Sequence, residues 1–213
     1  LEKLCSNYEG SQLQRQVYVD GRPKTDSRSL LYSIDALHEA INTGRMVEFH
    51  YKKVGRPEKR IISPWQMAWE NGCYYLIAYQ DEKEPVGIRN YRVDRMSGVT
   101  VLDARRRGKA EFRQFDLPAY LRMHFNMYGG PERRVTLRCD ADLEAAMRDR
   151  FGKTPLFVPE EDGTRFHFDV PVCVSPQFYG WVCGFGGKVE VTAPAEVRQA
   201  MQQLAAQLAG LHE

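Results

Sequence analysis

The 213-residue sequence is short of most features that would announce a chemistry. Its five cysteines, Cys5, Cys73, Cys139, Cys173 and Cys183, are odd in number and widely spaced. There is no Cys-x-x-Cys pair and no His pair at zinc-ligand spacing, so neither a disulfide framework nor a structural metal site is expected. The thiols read as small buried hydrophobes of a chain in a reducing, cytoplasmic compartment. Apolar runs fall far short of the ~20 residues that span a bilayer, and no secretory leader is visible, so no membrane partner is expected. Charge of one sign is missing too: 30 Lys and Arg face 28 Asp and Glu, a net +2, so any anion site must be a local patch. Gly-x-Ser-x-Gly, a phosphate loop, His-Glu-x-x-His and a dinucleotide fingerprint are all absent, and His38, His50, His124, His167 and His212 are scattered. The expectation is a non-enzyme with no catalytic residues, no metal and no cofactor. A metal-dependent nucleotide hydrolase is the weakest alternative.

What is present centres on Asn71 to Arg95. Asn71-Gly72 is a two-residue hairpin signal, because both central residues of the tight mirror-image turn need positive φ. Trp65 to Trp69 and Cys73 to Tyr79 are therefore predicted to pair antiparallel. The next strand, Ile88 to Arg95, carries Arg89, Arg92 and Arg95 interleaved with Tyr91 and Asp94. Three guanidinium groups so close repel one another unless carboxylates or an anionic ligand neutralise them, and their forks suit phosphate oxygens. Period-2 geometry puts Arg89, Tyr91, Val93 and Arg95 on one face and Arg92 with Asp94 on the other, so a twist or bulge is needed to bring all three arginines together. Tyr51, Tyr74, Tyr75 and Tyr91 lie on adjacent predicted strands; they either fill a core or offer stacking faces to bases.

In chain order, residues 1–28 read as a polar linker, with one short strand from Gln16 to Val19. An amphipathic helix carries Leu30 or Leu31, Ile34, Leu37, His38 and Ile41 and stops at Gly44. Met46 to Lys52 alternates as a strand, Lys59 to Ser63 starts the next, and Gly98 to Leu102 completes five, enough to close a small barrel over residues 29–110. The run from Arg105 to Lys109 is either a solvated linker or a phosphate contact. A helical connector fills 111–131 and ends at Gly129-Gly130-Pro131. Residues 132–213 then alternate strand and helix: Arg134 to Cys139, a helix capped by Asp140, strands around Asp162-Gly163, a helix from Ser175-Pro176, Val189 to Val191, and a last helix after Pro194. That last helix and the Trp181 region are either packed on their own domain or form a dimer surface.

The Ser63-Pro64 strand, the Asn71-Gly72 hairpin, the Tyr74-Tyr75-Leu76 triplet and the closing Tyr91-Arg92-Val93-Asp94-Arg95 together resemble the WYL domain, a small Sm-like barrel of bacterial transcriptional regulators. Tyr74 stands where the family name has tryptophan. The second half, from Phe178 to Gly186 and then Val189 to Pro194, resembles the C-terminal extension that follows such domains and is implicated in dimer contacts or signal relay. The resemblance implies an α+β chain: an Sm/SH3-like five-stranded β-barrel with an N-terminal helix, then a small α/β domain. It also implies a ligand pocket built from Ser63, Tyr75, Arg89, Arg92 and Arg95, with Tyr51 and His50 beside it and Trp65 narrowing it or adding a stacking surface.

The function so implied is sensing of a nucleotide or oligonucleotide by a homodimer, whose N-terminal winged-helix domain binds DNA. Because the sequence begins at Leu1 and not Met, that domain is expected upstream. The competing reading is a module that binds single-stranded nucleic acid directly, without allosteric output.

Overall fold

The computed structural model describes residues 27–52, 55–81 and 86–211; the strand expected at 16–19 and nearly all of the expected linker lie outside them. The first helix, α1, is Ser27–Thr43. Its apolar spacing turns Leu37 and Ala40 fully inward, with Leu30, Ile34 and Ile41 packed around them, while His38 is exposed. A side chain such as Leu37 contributes about 1.5–3 kcal/mol when buried this completely. Gly44, at φ 66°, ends the helix in the left-handed conformation that suits glycine.

Five strands follow: β1 Arg45–Tyr51, β2 Glu58–Glu70, β3 Cys73–Gln80, β4 Gly87–Arg92 and β5 Met96–Arg105. All neighbours are antiparallel, in the order β4-β3-β2-β1-β5. The hairpin forms as its turn residues require, with Asn71 at φ 48°, Gly72 at φ 74° and Glu70 opposite Cys73. Strand β2 serves two partners: its first half, to Ile62, pairs with β1 and its second half, from Ser63, with β3. A register shift between Pro64 and Gln66 marks the change, as expected where proline has no N–H to give the ladder.

Among the described residues no ladder joins β4 to β5, so the expected closed barrel does not form; the sheet is open. The reason lies in the sequence between them. Strand β4 stops at Arg92, and Val93–Arg95 coil into a 3-10 turn in place of the last strand residues expected there. A link this short spans at most about 14 Å, so the sheet curls until its edges approach, and one backbone bond, Lys52 N to Arg95 O at 3.0 Å, ties the end of β1 to the turn.

Both faces of the sheet are covered, which explains why β3 reads as a nearly unbroken apolar run. Leu76 and Ala78 face Phe49, Ile62, Tyr91 and α1, whereas Tyr75 and Ile77 face the connector through Tyr120 and Met127. Tyr74 is half-buried and packs edge-on against Trp69, with ring centroids 4.6 Å apart. The connector contains α2, Leu117–Met123, capped by Asp116, whose carboxylate accepts from Ala119 N–H at 3.1 Å.

The second half is a four-stranded antiparallel sheet, β7-β8-β6-β9, built from β6 Glu132–Asp140, β7 Val158–Pro159, β8 Arg165–Cys173 and β9 Val189–Ala193. Helices α3 Glu144–Phe151, α4 Pro176–Cys183 and α5 Ala195–Gly210 complete it. Its core joins Val135, Leu137, Phe166, Phe168 and Val170 to Met147, Phe178 and Val197. Ser175 caps α4 by accepting from Phe178 N–H, as its sequence predicts. Asp140 does not cap α3; a 3-10 turn, Ala141–Leu143, intervenes, and the Asp140 carboxylate pairs with Arg165 at 3.0 Å instead. No helix among the described residues is long and apolar enough to cross a membrane.

Candidate functional site

The 3-10 turn at Val93–Arg95 replaces period-2 alternation with a coil. Arg92 and Arg95, expected on opposite faces, therefore line one cleft of about 540 Å³ together with Tyr51 and Tyr75. The cleft opens where the two halves of the chain meet. Its remaining wall is rich in amides: Asn71 and Asn90 from the first half, Asn126 from the connector and Gln177 from α4.

Arg92 is held in place. Its Nε donates to Asp94 Oδ1 at 3.0 Å and its Nη2 to Oδ2 at 2.6 Å, while its backbone N–H donates to the Tyr51 hydroxyl at 3.2 Å. Hydrogen bonding to Asp94 raises the Arg92 pKa, and the same bond holds the Asp94 carboxyl below the usual carboxylate range. Arg95 is exposed and makes no ion pair among the described residues, which leaves its fork free for an anion. Burial pushes the Tyr75 phenol up, with the nearby Arg92 charge opposing, so the ring is neutral at ordinary pH and its hydroxyl remains a donor. Tyr51 is braced edge-on by Tyr91, with centroids 5.3 Å apart.

The other expected residues lie elsewhere. Arg89 lines a neighbouring cavity of about 710 Å³, which shares Asn90, Met127 and Gly129 with the first. Ser63 is fully buried and its Oγ accepts from Arg107 N–H at 2.8 Å, so it fastens the chain leaving β5. Trp65 lines a third cleft on another side, donating from Nε1 to Arg107 O at 2.8 Å and stacking on Phe112. His50 is exposed and lines none of these clefts. Sequence reasoning missed Asn90, Asn126 and Gln177. Each is an ordinary amide in its local context, and only the approach of the two halves gives it a site.

That approach is fastened by polar contacts. Asn71 Nδ2 donates to the side-chain Oδ1 of Asn126, Asn126 Nδ2 donates to Gln177 Oε1 at 2.7 Å, and Asn90 Nδ2 donates to Met127 O at 3.1 Å while its Oδ1 accepts from the Tyr120 hydroxyl at 3.0 Å. Asn126 and Met127 adopt successive positive φ values of 51° and 61°. Behind them His124 Nδ1 donates to Tyr120 O at 2.8 Å, which leaves Nε2 to accept from the Cys173 thiol at 3.2 Å. Burial lowers the imidazole pKa and pushes the thiol up to about 11, so this pair is neutral at ordinary pH and supplies no thiolate. Among the described residues no group of three His, Cys, Asp or Glu side chains gathers to hold a cation.

With this geometry in hand, residues 33–101 match the WYL domain and residues 131–209 match the WCX domain. A solved CRISPR Cas-related protein aligns over 86% of this chain and 52% of its own, at 13% identity and a TM-score of 0.50, a likeness of fold. Proteasome accessory factor B/C of Arthrobacter aurescens aligns over 85% of this chain at 21% identity and a TM-score of 0.39. The chain spans 52% of the first structure's length and 26% of the second's. No curated protein matches it.

Proposed function

We propose that this chain, which pairs a WYL domain with a WCX domain, is the ligand-sensing and dimerisation region of a bacterial transcriptional regulator. It acts by binding and not by catalysis, in the cytoplasm, and governs a winged-helix DNA-binding domain N-terminal to it. The observation that carries this reading is the convergence of Arg92 and Arg95 with Tyr51 and Tyr75 on one cleft at the junction of the two domains. The free Arg95 fork suits phosphate, the Asp94-paired Arg92 borders it, and the partly exposed Tyr51 ring offers a surface to a base, so the ligand is a nucleotide or a short oligonucleotide. The neighbouring cavity that holds Arg89 joins this cleft through Asn90, but Glu111, Asp116 and Glu132 also line it, so the basic surface is confined to Arg92 and Arg95. Gln177 belongs to the second domain and Arg92 to the first, so a bound ligand favours one relative arrangement of the two, and only that difference in affinity moves an attached domain.

Titration of mono-, di- and cyclic nucleotides and of short single strands tests the reading. Tight binding of one class, lost in Arg92→Ala/Arg95→Ala, supports it; absence of any anionic ligand contradicts it. Direct single-strand binding without allosteric output is the second reading, favoured by the same paired tyrosines. It is separated by salt: a tract of many phosphate contacts weakens steeply as salt rises, whereas a pocket holding one or two phosphates weakens little.

A further inference from the structure

The run from Arg105 to Lys109 plays no part in the ligand cleft, yet it does not trail in solvent. Arg106 donates to Ile41 O at 3.2 Å and to Pro64 O at 3.3 Å, Arg107 N–H donates to Ser63 Oγ, and Trp65 donates to Arg107 O. Gly108, at φ 82°, lies so close to β3 that a Cβ there would sit 2.4 Å from Tyr79 Cγ. The middle of the run is thus fastened to the sheet, and residues after it coil back through turn bonds such as Phe112 N to Gly108 O at 3.2 Å. This leaves Arg105, Lys109 and Arg113, each four residues from the next, exposed around one cleft of about 1070 Å³.

None of these three cations has an ion pair among the described residues. The nearby carboxylates are already engaged: Asp103 with Arg45, Asp81 with Arg107, and Glu111 with Tyr79. The aromatic wall is closed as well. Trp65 stacks on Phe112 with centroids 4.7 Å apart and planes within 5°, and the Arg106 guanidinium lies 3.8 Å from its ring centroid. Two groups at those distances cannot share one face, so both faces of the indole are covered and no base can stack there. Single-strand sites depend on free aromatic faces; this surface offers fixed positive charge without them.

We propose that the cleft bordered by Trp65, Arg105, Lys109 and Arg113 is a second binding surface, which grips the phosphate backbone of duplex DNA without reading bases. It is separate from the ligand cleft and stands whether or not that cleft binds a nucleotide. Three released counterions give a salt slope of about −2.7, or roughly a 40-fold loss of affinity between ~50 and ~200 mM salt.

The test is fluorescence anisotropy of two labelled duplexes of unrelated sequence with the whole chain, its Arg105→Ala/Lys109→Ala/Arg113→Ala variant and its Arg92→Ala/Arg95→Ala variant. The expected result is equal binding of both duplexes with that slope, loss of at least 10-fold in the triple variant, and no change in the double variant. All three substituted side chains are exposed and make no ion pair among the described residues, so an unchanged melting midpoint accompanies the loss. No duplex binding at low salt, a preference between the duplexes, or an unaffected triple variant overturns the proposal. So does loss of duplex binding in the double variant.

Discussion

Arg92 holds Asp94 by both nitrogens of its fork, at 3.0 and 2.6 Å, across the 3-10 turn that ends the arginine strand. The two side chains keep only 29% and 26% of their accessible surface, so solvent screens the pair less than a surface ion pair. This pair sets the course of the turn and so places both Arg92 and Arg95 at the cleft.

Replacing Asp94→Asn removes the charge and one acceptor, and the expected cost is about 1 kcal/mol at neutral pH. The Asp94 pKa is depressed in the folded state. Its contribution is therefore fully present above the unfolded value of about 4 and is lost as pH falls through the lower, folded value. Urea midpoints of wild type and variant should differ at pH 7 and converge in stronger acid.

His124 shifts stability in the same direction for a different reason, because here the fold disfavours the charged form. Burial depresses its pKa, helped by the Arg150 charge and opposed by Glu132 and by its bond to Tyr120 O. A histidine kept neutral by the fold leaves stability intact above its unfolded value of about 6.5 and erodes it as pH drops below that value. His124→Gln should lose stability at pH 7 and show a flatter decline between pH ~7 and ~5, measured by thermal midpoints across that range.

Gly130 is confined by backbone. A Cβ there would lie 1.9 Å from Val174 O, a group no side-chain rotation can move. Gly130→Ala should cost about 3 kcal/mol or more, because the connector can no longer run beside the end of β8. A denaturant midpoint shift of that size, against a gain of up to about 1 kcal/mol for Gly180→Ala, a site inside α4 where nothing lies within 4 Å, checks it.

Much of the fold was legible in the sequence because it rests on local rules. Asn71-Gly72 dictated its hairpin through positive φ, Leu37 and its helical neighbours marked the buried face of α1, and Ser175-Pro176 started α4. That the sheet stays open was not legible, because the alternation of Arg89 to Arg95 reads as one continuous strand; the 3-10 turn at Val93–Arg95, with the Arg92–Asp94 pair and the bond from Lys52 N to Arg95 O, is seen only in the assembled sheet. The arginine strand and its tyrosines stood out from charge and aromatic pattern, whereas Ser63 came with the family resemblance; in the structure Tyr51, Tyr75, Arg92 and Arg95 share one cleft, and Arg89, Ser63, His50 and Trp65 lie outside it. The amides Asn126 and Gln177, 51 residues apart in sequence, could not be paired from one chain without its tertiary structure.

Asn126 separates a backbone role from a side-chain role. At φ 51° it favours glycine, but its side chain bridges Asn71 and Gln177. Asn126→Gly should lose about 1 kcal/mol for the exposed bridge, and Asn126→Ala about 1 kcal/mol more for left-handed backbone strain. Denaturant midpoints should fall in that order.

The most direct test of the account is calorimetric titration of a single strand of about 10 nucleotides into wild type and Arg95→Ala. Arg95 has no ion pair to lose among the described residues, so the variant should melt as wild type does. It should nevertheless bind at least 10-fold more weakly, the value of a charge-assisted contact of roughly 1.5–3 kcal/mol. Equal binding by the two proteins would contradict the account and leave the arginine turn a structural element.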